Sequence, residues 1–147
     1  MLPRILGLAG LLPQLACVLA VWIGPLEWRF TALAIGWGYA ALIFSFLGGL
    51  WWGLAAAESA AGRQVPAWLW LLSVVPSLWA LVTYLPWIAG ANWPGPSLVG
   101  LGLAILASLF VDRRIGTELQ VTPPWWMALR TPLSCGLGLL SILLALG

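Results

Sequence analysis

Histidine and lysine are both absent from this chain of 147 residues, and only 4 acidic side chains accompany its 6 arginines. Without histidine, the commonest general base and the commonest metal ligand are missing. Charged residues make up 7% of the chain, against roughly a quarter in soluble domains, so no water-facing shell can be built. A net charge of +2 with no basic stripe excludes a nucleic-acid partner. Cysteine occurs twice, as Cys17 and Cys135, each inside an apolar run; both read as small buried hydrophobes, not as a disulfide. Phosphate-loop and metal-ligand spacings are missing, and Tyr39, Ser45 and Ser77 are hydroxyls with no base beside them. The chain is expected not to be an enzyme and to hold no metal or cofactor.

What is there is apolar. Hydrophobic residues reach 63% and the mean hydropathy is +1.04, so lipid is the expected solvent. Residues 1–147 read as a single all-α domain of five transmembrane helices, with spans at about 5–24, 31–57, 66–87, 97–112 and 124–146. Arg4 followed by an apolar run resembles a signal peptide, but no small-x-small site ends it, and Gln14 interrupts the pattern expected before Cys17. The segment is expected to be a retained first span, kinked at Pro13. Pro66 suits a helix first turn, the uncharged stretch from Gly90 to Pro96 reads as a tight loop, and residues 112–122 form the most polar segment.

Five spans put Arg4, Arg63, Arg113, Arg114 and Arg130 on one side and Arg29 alone on the other. That asymmetry predicts the N-terminus in and the C-terminus out. Tryptophans fall into two belts, with Trp22, Trp28, Trp87 and Trp93 at the expected outer ends and Trp68, Trp70, Trp125 and Trp126 at the inner ends.

Two constellations stand out. In the second span, Ala34, Gly38, Ala41, Ser45, Gly49, Gly53 and Ala57 recur at steps of three or four. They are expected to share one helix face, with Gly49 and Gly53 as a GxxxG pair. Ser45, Gly48, Gly49, Trp52 and Gly53 are therefore the candidate helix-packing or partner seat. The second is a polar cluster at the inner face: Glu58, Arg63, Asp112, Arg113, Arg114 and Arg130, with Glu118 nearby. A fourth span of only fifteen apolar residues rises about 22 Å, which draws Asp112 toward the hydrocarbon boundary unless the helix starts before Pro96. A lone charge there costs roughly 2.5–3.5 kcal/mol, so pairing with Arg130 or another inner arginine is expected. No span carries a charge near its centre, which counts against proton relays and ion-coupled transport.

These residues also carry a resemblance. Leu2-Pro3-Arg4, the run from Gly7 to Pro13, Tyr39, Ser45-Phe46-Leu47-Gly48-Gly49 followed by Trp52-Gly53, the run from Ser73 to Ser77, Asp112, Trp126 and Arg130 together resemble the transmembrane-protein-69-like family (domain of unknown function 3429). The resemblance spans nearly the whole chain, and the second-span motif is its most specific part. Members of that family often carry histidine or arginine just before the Trp-Gly pair; Trp51 stands there here, which weakens the expectation of a polar role at that position. The resemblance implies a multi-pass protein of the bacterial inner (plasma) membrane, with eukaryotic relatives and no established activity. The arginine-only basic set fits a GC-rich bacterial source.

Small size, missing catalytic groups and the small-residue face favour a non-enzymatic accessory subunit or assembly factor of a larger membrane complex. The alternative is a binder or transporter of lipid or a small hydrophobic ligand, acting as an oligomer. Expected partners are membrane lipids and either another membrane protein complex or a second copy of the chain.

Overall fold

The structure is a computed structural model that describes residues 2–147. Its helices are α1 (Leu2–Ala9), α2 (Leu12–Ile23), α3 (Arg29–Ala60), α4 (Ala67–Ile88), α5 (Gly95–Glu118) and α6 (Trp126–Leu146), with a short 3-10 turn at Leu26–Trp28. Five segments are long and apolar enough to cross a bilayer: Leu2–Ile23, Leu26–Ala60, Ala67–Ile88, Gly95–Glu118 and Trp126–Leu146. The protein is an all-helical membrane protein. Side chains such as Leu42, Phe46, Leu71 and Phe110 are exposed on its flanks, where lipid tails can solvate them.

The first span is broken rather than bent. Pro13 sits in the first turn of α2, where its missing N–H leaves nothing unpaired, so the discontinuity falls one turn earlier at Gly10 and Leu11. There the N–H of Gly10 bonds the carbonyls of Leu6 and Gly7, and that of Leu11 bonds Leu8. The Gly10 carbonyl accepts a hydrogen bond from the Tyr39 hydroxyl at 2.5 Å. A backbone break at membrane depth needs such a partner, and α3 supplies it.

The fourth transmembrane helix, α5, is longer than its apolar run. It begins at Gly95 with Pro96 in its first turn and continues through Asp112, Arg113 and Arg114 to Glu118. Its 24 residues rise about 36 Å, but Asp112 lies only about 26 Å from the start, near the hydrocarbon boundary, and the last six residues carry the helix beyond it. The polar residues from 112 to 118 stay helical because Asp112 is paired and Arg114 bonds Glu118 one turn on.

The buried residues of α3 are Ala32, Gly36, Ala40, Ala41, Phe44, Leu47, Gly48, Trp51, Ala55 and Glu58. At 100° per residue they fill an arc of about 180°, from Ala32 to Ala41. The run of small residues from Ala34 to Ala57 turns by about 140° and meets that arc only at Ala41, so it does not lie on the buried face. Ala41 is buried and Ser45 half-buried, whereas Gly49, Gly53 and Ala57 are exposed. The α3 glycine that admits a neighbour's backbone is Gly48, where a Cβ would lie 2.3 Å from the Ser73 carbonyl oxygen and 3.2 Å from the Pro76 ring. A Cβ on Gly49 or Gly53 would meet nothing within 4 Å. α5 and α6 also approach closely, a Cβ on Gly102 sitting 2.7 Å from the Gly138 carbonyl oxygen.

Candidate functional site

The polar residues at the arginine-rich end separate into three groups. The deepest joins α3, α5 and α6 around Asp112, which is fully buried. Arg130 Nε donates to Asp112 Oδ2 at 2.9 Å, and Trp51 Nε1 donates to Oδ1 at 2.9 Å. One turn further along α6, Ser134 Oγ accepts from Arg130 Nη2 at 3.1 Å. Trp126 Nε1 donates to the Asp112 main-chain carbonyl at 3.2 Å. Each carboxylate oxygen thus has a donor, and the charge is neutralised in place. That arrangement is what makes a buried carboxylate tolerable in a medium of low dielectric.

The second group closes the loops. Glu58, buried at the last turn of α3, accepts from Arg63 Nε at 2.5 Å and Nη2 at 3.2 Å. The same carboxylate accepts the backbone N–H groups of Gln120 at 3.4 Å and Val121 at 3.1 Å. One side chain therefore ties the α3–α4 turn to the α5–α6 loop. The Glu58 carboxylate also raises the Arg63 guanidinium above its ordinary value, through the hydrogen bond they share. The third group is exposed: Arg114 bonds Glu118 at 2.6 Å and lies 4.4 Å above the Trp68 ring, whose N–H donates to Glu118 at 3.2 Å. Surface pairs of this kind contribute little to stability. Arg113 is exposed and makes no ion pair among the described residues.

Above the deep group lies a cavity of about 320 Å³, at the lower end of the range for small-molecule sites. Leu6, Gly7, Gly10 and Leu11 of the broken first span form one wall, and Ile43, Phe44, Phe46, Leu47 and Leu50 of α3 form the other. Leu133 and Leu137 of α6 and Ile105 of α5 supply the floor, and Arg130 and Ser134 are its polar lining. The break at Gly10 and Leu11 matters here, because α1 packs chiefly on α6 and leaves α3 uncovered. A wider hollow of about 660 Å³ opens at the other end between Arg29, Phe30, Trp93 and Pro96, but it is shallow and holds no buried charge.

Of the candidate seat, Gly48 is buried in the α3–α4 contact, whereas Gly49, Trp52 and Gly53 face outward and Ser45 is half-buried between the two. The Trp52 ring packs edge-on against Trp70 at 4.8 Å between centroids. Trp51 is the residue whose polar contribution the sequence understated: its indole N–H keeps a donor on Asp112 where an ionisable side chain was expected to be lost.

Two further positions escaped sequence reasoning. Gln14, fully buried, donates to Ser141 Oγ at 3.1 Å, and Ser141 donates to the Leu137 carbonyl at 2.8 Å. A lone amide in an apolar run was the available signal. At the other end, Trp37 stacks on Tyr84 with centroids 5.2 Å apart and meets Trp93 edge-on at 5.3 Å. Cys17 and Cys135 are both free. Among the described residues no three metal-ligating side chains come together.

Residues 2–146 match the family described as "Protein of unknown function (DUF3429)". The chain is also 33% identical over 133 residues to "Transmembrane protein 69" of Xenopus tropicalis, an alignment covering 88% of this chain. It spans about half of that relative's length, 47%. No solved structure matches. A match across both the broken first span and the Asp112–Arg130 pair, together with the sequence identity, means that the chain belongs to the DUF3429 family of membrane proteins.

Proposed function

We propose that this protein is a non-enzymatic binder of a lipid or small hydrophobic ligand, held in the cavity between the first span, α3 and α6. The observation that carries this is the cavity itself: about 320 Å³ of largely apolar space with Arg130 as the one charged side chain among the described residues that line it. A packing defect in a helical bundle has no reason to be lined by a guanidinium that is itself oriented by Asp112 and Ser134. The arginine distribution supports a bacterial inner-membrane protein with its N-terminus in and the Asp112 end facing the cytoplasm.

The test is native mass spectrometry of the protein released from lipid nanodiscs. A discrete small molecule retained one to one, and lost on Leu47→Trp, is the expected result. Bare protein, or a lipid profile unchanged by Leu47→Trp, overturns the proposal.

A second function, an accessory subunit of a larger membrane complex, is favoured by one observation. Gly49 and Gly53 lie on an outward surface where a Cβ would meet nothing within 4 Å, with Trp52 at its edge against Trp70. Close helix approach needs small residues of this kind. Recovery of a stoichiometric protein partner that Gly49→Leu and Gly53→Leu release would support it, and an unaltered lone monomer would remove it.

A further inference from the structure

Resting on the ligand-binding proposal, the charge and depth of the cavity say what kind of head group it takes. Arg130 has five N–H donors, of which Nε is spent on Asp112 and one on Nη2 is spent on Ser134. Nη1 has no acceptor among the described residues, yet its side chain keeps 12% of its exposure and lines the cavity. The site therefore offers hydrogen-bond donors and asks for an acceptor.

The net charge decides which acceptor. Arg130 and Asp112 already neutralise one another at 2.9 Å, and no second cation among the described residues lines the cavity. A carboxylate or phosphate entering it would leave the group with one uncompensated negative charge. Depth weighs the same way. Arg130 is four residues into α6, and Asp112 lies six residues before the end of α5, so the donors sit about 6–9 Å inside the helix ends. An ionised head group would have to shed its water to reach them. A carbonyl would not, because it is weakly hydrated and accepts from a guanidinium without adding charge.

The cavity's shape fits such a molecule. From Leu50 to Ile43 the α3 wall rises about 10 Å away from Arg130, apolar throughout. We propose that the cavity holds an uncharged, carbonyl-tipped, single-chain amphiphile, its carbonyl oxygen accepting from Arg130 and its chain lying between α1 and α3. An acylglycerol ester and an isoprenoid quinone share that chemistry.

The experiment is equilibrium binding to the full chain in phosphatidylcholine nanodiscs, with three probes: monooleoylglycerol, decylubiquinone and oleate at a pH where it is ionised. At least one uncharged probe is expected to bind one to one and at least tenfold tighter than oleate. Which of the two binds tells ester from quinone. Asp112→Asn combined with Arg130→Gln removes both charges together and is expected to weaken the uncharged probe about tenfold or more while circular dichroism stays unchanged. Should that double variant not fold, Ser134→Ala, which frees Arg130 on one side only, is expected to alter the affinity for the same probe. Oleate binding as tightly as the uncharged probes overturns the head-group assignment and leaves the ligand-binding proposal standing, as does an affinity indifferent to both sets of variants. Failure of every probe to bind overturns both.

Discussion

Replacing Gly48 by alanine separates a glycine that packs from glycines that only resemble a packing motif. A Cβ at Gly48 would stand 2.3 Å from the Ser73 carbonyl oxygen and 3.2 and 3.3 Å from two ring carbons of Pro76. Neither obstacle is a flexible side-chain tip, so α4 has to move bodily away from α3. Overpacking of this kind costs about 1–3 kcal/mol. Alanine also gains up to about 1 kcal/mol of helix preference over glycine. Gly49→Ala has that same gain with nothing within 4 Å to obstruct it. The difference between the two variants therefore isolates the steric part, and Gly48→Ala should be the less stable by about 1–3 kcal/mol. Reversible unfolding in mixed micelles with increasing dodecyl sulfate, followed by circular dichroism, measures it. Equal midpoints for Gly48→Ala and Gly49→Ala would show that α3 and α4 do not meet at this glycine.

Arg130→Leu alone strands a buried carboxylate and is expected to cost about 3–5 kcal/mol, whereas Asp112→Leu combined with Arg130→Leu recovers a large part of that loss. The same unfolding assay reads the cycle, and losses that add to within about 0.5 kcal/mol refute the pairing. Trp51→Phe removes one donor from Asp112 and should destabilise by about 1.5–3 kcal/mol, while Trp52→Phe, at an exposed site, should change little. Tyr39→Phe leaves the Gly10 carbonyl without its partner; hydrogen exchange is expected to speed up in the α1–α2 break and to stay unchanged in α5 and α6. Uniform exchange across the bundle would refute a local role for that hydroxyl.

Much of the candidate site was legible residue by residue but not as an assembly. Asp112 demanded a partner because an unpaired charge below a membrane surface is expensive, and Arg130 was within reach on the next helix. That Glu58 would cap the amides of Gln120 and Val121 was not legible, since they lie 62 and 63 residues further along the chain and nothing local marks a loop amide as the target. Trp51 was hidden for a different reason. An indole reads as apolar bulk in a hydropathy count, and its single N–H matters only once a buried acceptor lies opposite. The small-residue stripe misled because steps of four were counted without their cumulative drift, so Gly49 seemed to share a face with Ala41 when it lies on the exposed side.

By itself the sequence determined solvent, class and span count: 63% hydrophobic residues, ten charges and continuous apolar runs of about twenty residues call for helices whose backbone groups pair internally. Those are consequences of composition and length, which act locally along the chain. Only the tertiary structure decided which glycines touch, how the charges at the arginine-rich end divide into three groups, and that α1 packs on α6 beside a cavity at Arg130. Those outcomes depend on the rotation of each helix about its axis and on where a break falls. Apolar helices in lipid gain nothing from burying one face rather than another, so the choice is made by the few close contacts and polar pairs that neighbouring helices offer.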